Sequence, residues 1–161
     1  MQLEIRRATS DDITALADFI KDLKHFRRLA GLSQEAVRGR VRGQMELLLA
    51  DADHSLYIAQ EAESQIVGYI SVHWLPYLFL PGPEGYVSEL FVSQAARGHG
   101  VGTRLLQVVK EEARFRGCAR LSLLNMRDRE SYQHGFYAKD GWEERADAAN
   151  FIFDLRPDAH A

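Results

Sequence analysis

Cysteine occurs once, at Cys118, so no internal disulfide can form and packing alone must hold the chain together. That thiol precedes an apolar strand-like run and reads as a small buried residue rather than a nucleophile. No apolar run approaches the ~20 residues a membrane-spanning helix needs, and the opening MQLEIRR lacks a signal-peptide core. A cytoplasmic protein with no membrane partner is the expectation. Excess positive charge is missing too: the formal net charge is −3, which offers nucleic acid no general attraction. The 6 histidines and the one cysteine show no ligand spacing, so no metal is expected. Proline is scarce, and three of the 4 prolines (Pro76, Pro81, Pro83) crowd into a single segment. Repeats and low-complexity tracts are absent. What is left is a 161-residue chain of ordinary globular composition, long enough for one domain with its own core, here placed at about residues 3–155.

The most informative stretch runs from Glu84 to Gly117. Tyr86 to Val92 is short, apolar and rich in strand formers. Gly98, Gly100 and Gly102 follow at alternate positions, and Val101, Leu105, Val108, Val109 and Ala113 then recur at helical spacing until Gly117 stops the helix. Glycines between a strand and a helix let the backbone turn tightly and aim several N–H groups at one point. The helix dipole adds positive potential there, so the turn suits a phosphate. It is not a Walker A loop, because no Gly-Lys pair occurs in the chain. Nor is it a dinucleotide fingerprint: the third place after Gly100 is Thr103, and the next strand, Ala119 to Asn125, does not end on an acid.

Around this core the pattern is mixed. Leu3 to Arg7 reads as a strand, and Thr9 with Asp12 has capping-box spacing before a helix buried through Ile13, Leu16, Ala17, Ile20 and Leu23. Ser33 can cap a second helix with Val37, Val41, Met45 and Leu48 inward and Arg38, Arg40 and Arg42 on a solvated face. Ser55 to Gln60 and Gln65 to Leu75 read as an antiparallel hairpin across Glu61 to Ser64. The segment Pro76 to Gly85 is irregular yet greasy, and three placements stand open: a wall of a second-substrate site, a subunit contact, or burial in the core. A helix over Arg129 to Lys139 and two closing strands, Trp142 to Arg145 and Phe151 to Leu155, complete the pattern, with a frayed tail from Pro157.

The ARGHGVG turn, with Arg97, Gly100 and Gly102 and the preceding Glu89-Leu90-Phe91-Val92, resembles motif A of the Gcn5-related N-acetyltransferases (GNAT). FYAKDGW, Phe136 to Trp142, resembles the family's motif B, and the likeness extends from about Ile5 to Leu155. The resemblance implies an α+β fold with a mixed, mostly antiparallel sheet of about 6–7 strands flanked by about four helices. It also implies transfer of acetyl from acetyl-CoA, as co-substrate, to a primary amine of a small molecule or a protein, by direct attack in a ternary complex. The competing class is a non-catalytic acyl-CoA-binding sensor. Many relatives are homodimers, which the apolar loop permits.

Site residues follow from the same resemblance. In the family a bulge in the strand before the turn frees backbone N–H groups for the cofactor. The matching positions are Leu90, Phe91 and Val92, with the Val92 N–H facing the thioester oxygen. Arg97, Gly98, His99, Gly100, Val101, Gly102 and Thr103 would hold the pyrophosphate, His99 through its backbone alone. Asn125 can bond loose backbone or the cofactor. Tyr137 matches the tyrosine near the CoA sulfur and, with a reference pKa of about 10, stays protonated to act as acid. Glu89 is the expected base, with His73 and Glu84 as weaker candidates. Arg127 and Arg129 could reach phosphates, although Gln133 and the charged segment from Met126 to Glu130 depart from the family pattern around His134.

Overall fold

The computed structural model describes residues 3–23, 26, 29, 31–61 and 65–155. The sequence-based expectations for the tail from Pro157 and for the hairpin tip Ala62–Ser64 fall outside those residues. The chain forms two compact units, Met1–Leu124 and Asn125–Ala161.

The first unit is built on a five-stranded sheet in the order β1-β2-β3-β4-β5. The strands are β1 (Glu4–Arg7), β2 (His54–Gln60), β3 (Ile66–Leu75), β4 (Glu84–Val92) and β5 (Arg120–Leu123). The first four pair antiparallel, and β5 joins β4 in parallel, as the crossover through helix α3 (Val101–Phe115) requires. Helices α1 (Ile13–Asp22) and α2 (Gln34–Leu49) cover the sheet with a core of Leu16, Val37, Met45, Ile58 and Tyr69, each 2% exposed or less. Each such buried aliphatic side chain contributes roughly 1.5–3 kcal/mol.

Local chemistry sets the helix boundaries. Thr9 and Asp12 form the capping box, with the Thr9 N–H donating to the Asp12 carboxylate at 2.8 Å, and Arg6 adds a fork at 2.7 and 2.9 Å. Ser33 Oγ accepts from the Ala36 N–H at 3.1 Å and starts α2. Arg38 reaches across to Asp18 at 2.8 and 2.9 Å, joining α2 to α1. On α3 the buried row is Val101, Leu105, Leu106, Val109 and Ala113, so Leu106 takes the place expected of Val108.

The sheet is smaller than the 6–7 strands expected. Among the described residues, Trp142 to Arg145 and Phe151 to Leu155 form no strand. Both segments were expected to pair as closing strands, but a strand exists only where a partner completes its ladder, and a lone two-stranded ribbon is marginal in water. Glu144 instead accepts from Tyr132 at 2.8 Å and Arg127 at 2.7 Å, while Phe151, Ile152 and Phe153 stay exposed. The helix expected over Arg129 to Lys139 is two single turns, α4 (Glu130–Gln133) and α5 (Phe136–Lys139). Gly135 separates them at φ 63°, a left-handed value that ends one helix before the next begins. The described helices therefore number five rather than four.

Candidate active site

Strand β4 changes character halfway along. Ser71 pairs with Glu89 but Val72 pairs with Val87, which leaves Ser88 as an extra residue: a bulge. His73 Nε2 lies 2.9 Å from the Ser88 hydroxyl, which in turn donates to Ser71 O at 3.4 Å. The parallel ladder to β5 covers only Glu84 to Val87, while β4 runs on to Val92. From the bulge onward β4 has a hydrogen-bonding partner in the sheet on one side only.

The register says which groups face the open side. The Ser93 N–H donates to Val67 O at 2.8 Å, so Ser93 and Val67 form a hydrogen-bonded pair. Antiparallel alternation then makes Phe91–Tyr69 bonded and Val92–Gly68 and Leu90–Ile70 non-bonded. The N–H groups of Leu90 and Val92 therefore point away from β3, whereas that of Phe91 is used within the ladder. Of the three residues expected to offer free backbone, two do. Phe91 contributes its ring instead, against Phe26 at 4.9 Å and Tyr69 at 5.7 Å.

Beyond β4, Gly98 and Gly100 adopt φ 78° and 77°, left-handed values that glycine takes without strain. A Cβ on either would meet nothing within 4 Å, so the outer side of the turn is open. The first helical N–H to reach back is that of Arg104, to Gly100 O at 3.0 Å. The N–H groups of Val101, Gly102 and Thr103 are thus left without acceptors inside α3, at its positive end. Arg97 Nε donates to Val92 O at 3.4 Å, and His99 Nδ1 donates to Arg97 O at 2.9 Å. The imidazole is engaged with its own turn, which leaves His99 its backbone for a ligand.

On the α1–α2 side of the same strand, Glu89 lines a cavity of about 260 Å³. Its carboxylate is solvent-accessible yet recessed, and burial raises its pKa above the ordinary carboxylate value. Tyr69 sits beside it, 1% exposed, with its hydroxyl close to the Glu89 carboxylate. Burial, then the nearby Glu89 charge and hydrogen bonding to that carboxylate, drive the Tyr69 pKa well up. Tyr69 was not legible as a site residue: within IVGYISVHW it reads as one more apolar strand position. Its alternation in phase with Phe91 and Glu89 across the ladder, visible only once the register is known, is the missing signal.

The weaker base candidates lie elsewhere. Glu84, 5% exposed, accepts from Ser122 Oγ at 2.6 Å and from Arg120, and so ties β4 to β5. His73 is bound to Ser88, and burial followed by the His54 charge lowers its pKa. Cys118 has its thiol pKa raised by burial, the opposite of what a nucleophile needs. The Pro76–Gly85 segment is not in the core: Leu78 and Phe79 are 107% and 74% exposed. It enters β4 at Glu84, eight residues from Val92 and so at the end opposite the glycine turn.

The second unit carries the other two residues. Tyr137, on α5, packs edge-on against Phe136 at 4.9 Å and Trp142 at 6.0 Å, and burial pushes its pKa up to about 12. Asn125 accepts from Ser131 Oγ at 3.0 Å, while its buried Nδ2 has no partner among the described residues. Arg127 is paired with Glu144.

Comparison with known proteins bears on these features. The profile of the acetyltransferase (GNAT) family matches residues 20–142. Glucosamine 6-phosphate N-acetyltransferase 1 of Oryza sativa subsp. japonica is 33% identical over 116 residues, 71% of this chain and 66%, just under two thirds, of that protein. Thialysine N-epsilon-acetyltransferase of Mus musculus is 29% identical over 128 residues, 74% of this chain and 72% of that one. Among solved structures, a transcriptional regulator from Bacillus halodurans C-125 superposes with a TM-score of 0.81 at 23% identity, over 94% of this chain and 100% of the other, a likeness of fold.

Proposed function

The chain belongs to the acetyltransferase (GNAT) family, and from that premise we propose that it transfers acetyl from acetyl-CoA to a primary amine. The observation that carries this reading is the combination on β4: a bulge, a ladder to β5 that stops at Val87, and outward N–H groups on Leu90 and Val92 that lead into the open glycine turn. These are the donors a thioester and a pyrophosphate need, in the order in which the cofactor carries them. The backbone of Gly98 to Thr103 takes the pyrophosphate with Arg97 beside it, and Val92 N–H faces the thioester oxygen.

The amine nitrogen attacks the thioester carbonyl, the C–N bond forms and the C–S bond breaks. The ammonium proton leaves through Glu89, directly or by way of water, and the departing thiolate takes a proton from Tyr137. The upward-shifted pKa of each suits its part: Glu89 becomes a better proton acceptor, and Tyr137 stays protonated at neutral pH. Positioning of the two substrates supplies up to roughly 7–11 kcal/mol of the barrier reduction.

Melting the protein with acetyl-CoA, CoA, ATP and NAD in parallel tests the reading. A ligand at 100 times its Kd adds about 2.7 kcal/mol, or roughly 5–10 °C for a domain of this size. A rise with the CoA species and thiol release with an amine support the proposal. Binding without turnover on any amine would make the chain an acyl-CoA sensor, and a rise with ATP or NAD alone would overturn the reading of the glycine turn.

A further inference from the structure

The cavity beside Glu89 is lined almost entirely by apolar side chains, among them Ile20, Val37, Val41, Met45 and Leu56. The exposed Arg40 and Gln44 of α2 also line it. Glu89 is the one carboxylate, and Arg40 the one cation, among the described lining residues. The buried Tyr69 hydroxyl stands beside the Glu89 carboxylate on the same wall.

Taken with the proposed acetyl transfer, on which it rests, we infer that the acceptor is a small primary amine on an apolar body. The nitrogen sits at Glu89 and Tyr69, and an alkyl or aryl group fills the cavity beneath α1 and α2. The size is right: an apolar cavity of about 150 Å³ already admits benzene, and this one holds about 260 Å³, a ring with a short tether. The charge is right as well. One carboxylate matches one ammonium. A polycationic acceptor would leave further ammonium groups against Val37, Val41 and Met45, and a sugar phosphate would bring several hydroxyls to the same apolar walls and a dianion with Arg40 alone to meet it.

The experiment is thiol release from acetyl-CoA with the full chain and a panel of amines: n-butylamine to n-octylamine, phenethylamine, glucosamine 6-phosphate, lysine, kanamycin and a short peptide with N-terminal leucine. Along the alkyl series kcat/KM rises about fourfold per methylene, the equivalent of ~0.8 kcal/mol each, until the cavity is full. Ile20→Phe, which narrows the cavity, moves the optimum to a shorter chain without changing the acetyl-CoA-dependent melting shift. Equal or better use of the sugar phosphate, lysine, kanamycin or the peptide overturns the inference and leaves acetyl transfer standing. A flat response to chain length overturns it too. No release with any amine removes it as well, and the melt with acetyl-CoA then decides whether the transfer reading falls with it.

Discussion

Replacing Glu89 with glutamine separates a base from a binding group by the shape of the pH profile. A primary amine with a pKa near 10.4 is about one part in 2,500 neutral at pH 7. Wild-type enzyme binds the ammonium form and removes its proton, so kcat/KM stays nearly flat from just above the Glu89 pKa towards the amine pKa. Glu89→Gln must instead wait for free amine. At pH 7 its kcat/KM falls by about 10²–10⁴, and it then climbs about tenfold per pH unit until it approaches wild type near pH 10. Stability moves in the opposite sense. Burial raises the Glu89 pKa in the folded chain. Ionisation therefore opposes folding, and stability is lost as pH rises through the folded-state pKa. The variant, with no charge to bury, melts above wild type at pH 8 and level with it at pH 4. Stopped thiol-release assays across pH 6.5–10 and a melt at the two pH values suffice. A loss by the same factor at every pH would show that Glu89 holds the amine without deprotonating it, and full activity at pH 7 would falsify both roles.

Other expectations follow from single contacts. Tyr137→Phe lowers kcat while leaving the acetyl-CoA-induced melting shift intact, because the ring contacts with Phe136 and Trp142 survive and only the hydroxyl is lost; an unchanged kcat removes the acid role. Asp12→Asn costs about 1–3 kcal/mol in denaturant unfolding, since one carboxylate serves Arg6 and the Thr9 N–H. The hydrogen bond from Arg6 leads the lowering of its pKa, so that contribution is present above the ordinary Asp value and fades as pH falls through the depressed one. In the variant this acid-side fading disappears. Gly43→Ala, mid-helix in α2 with open space around its would-be Cβ, stabilises by about 0.5–1 kcal/mol; a lower melting temperature would point to a contact not visible in the fold.

Much of this was readable before any coordinates. Gly98 and Gly100 announce a turn that only positive φ can make, and the helix after them shows its buried face in its own spacing. Thr9-Asp12 and Ser33 mark helix starts because caps are local chemistry. What the residues themselves did not show is what depends on pairing. A bulge in this strand was expected from the family resemblance alone; its place at Ser88 is a mismatch between two strands, and no property of serine signals it. The free N–H groups of Leu90 and Val92, and the engaged one of Phe91, follow from register alone. Phe151 to Leu155 shows the converse: an apolar run expresses a capacity for strand, and the sheet decides whether it is used. Tyr69 became a site residue only when the ladder set it beside Glu89.

The open side of β4 has a consequence for how such a chain can change over time. On the proposed reading the cofactor is held by backbone N–H groups and reads no side chain, so mutation at Leu90 or Val92 leaves the donors where they are. The face of the same strand that carries Glu89, with the residues of α1 and α2 over it, is then free to be rewritten. Selection can retune which amine is accepted, one cavity-lining side chain at a time, while the currency of the reaction stays fixed by the course of the main chain.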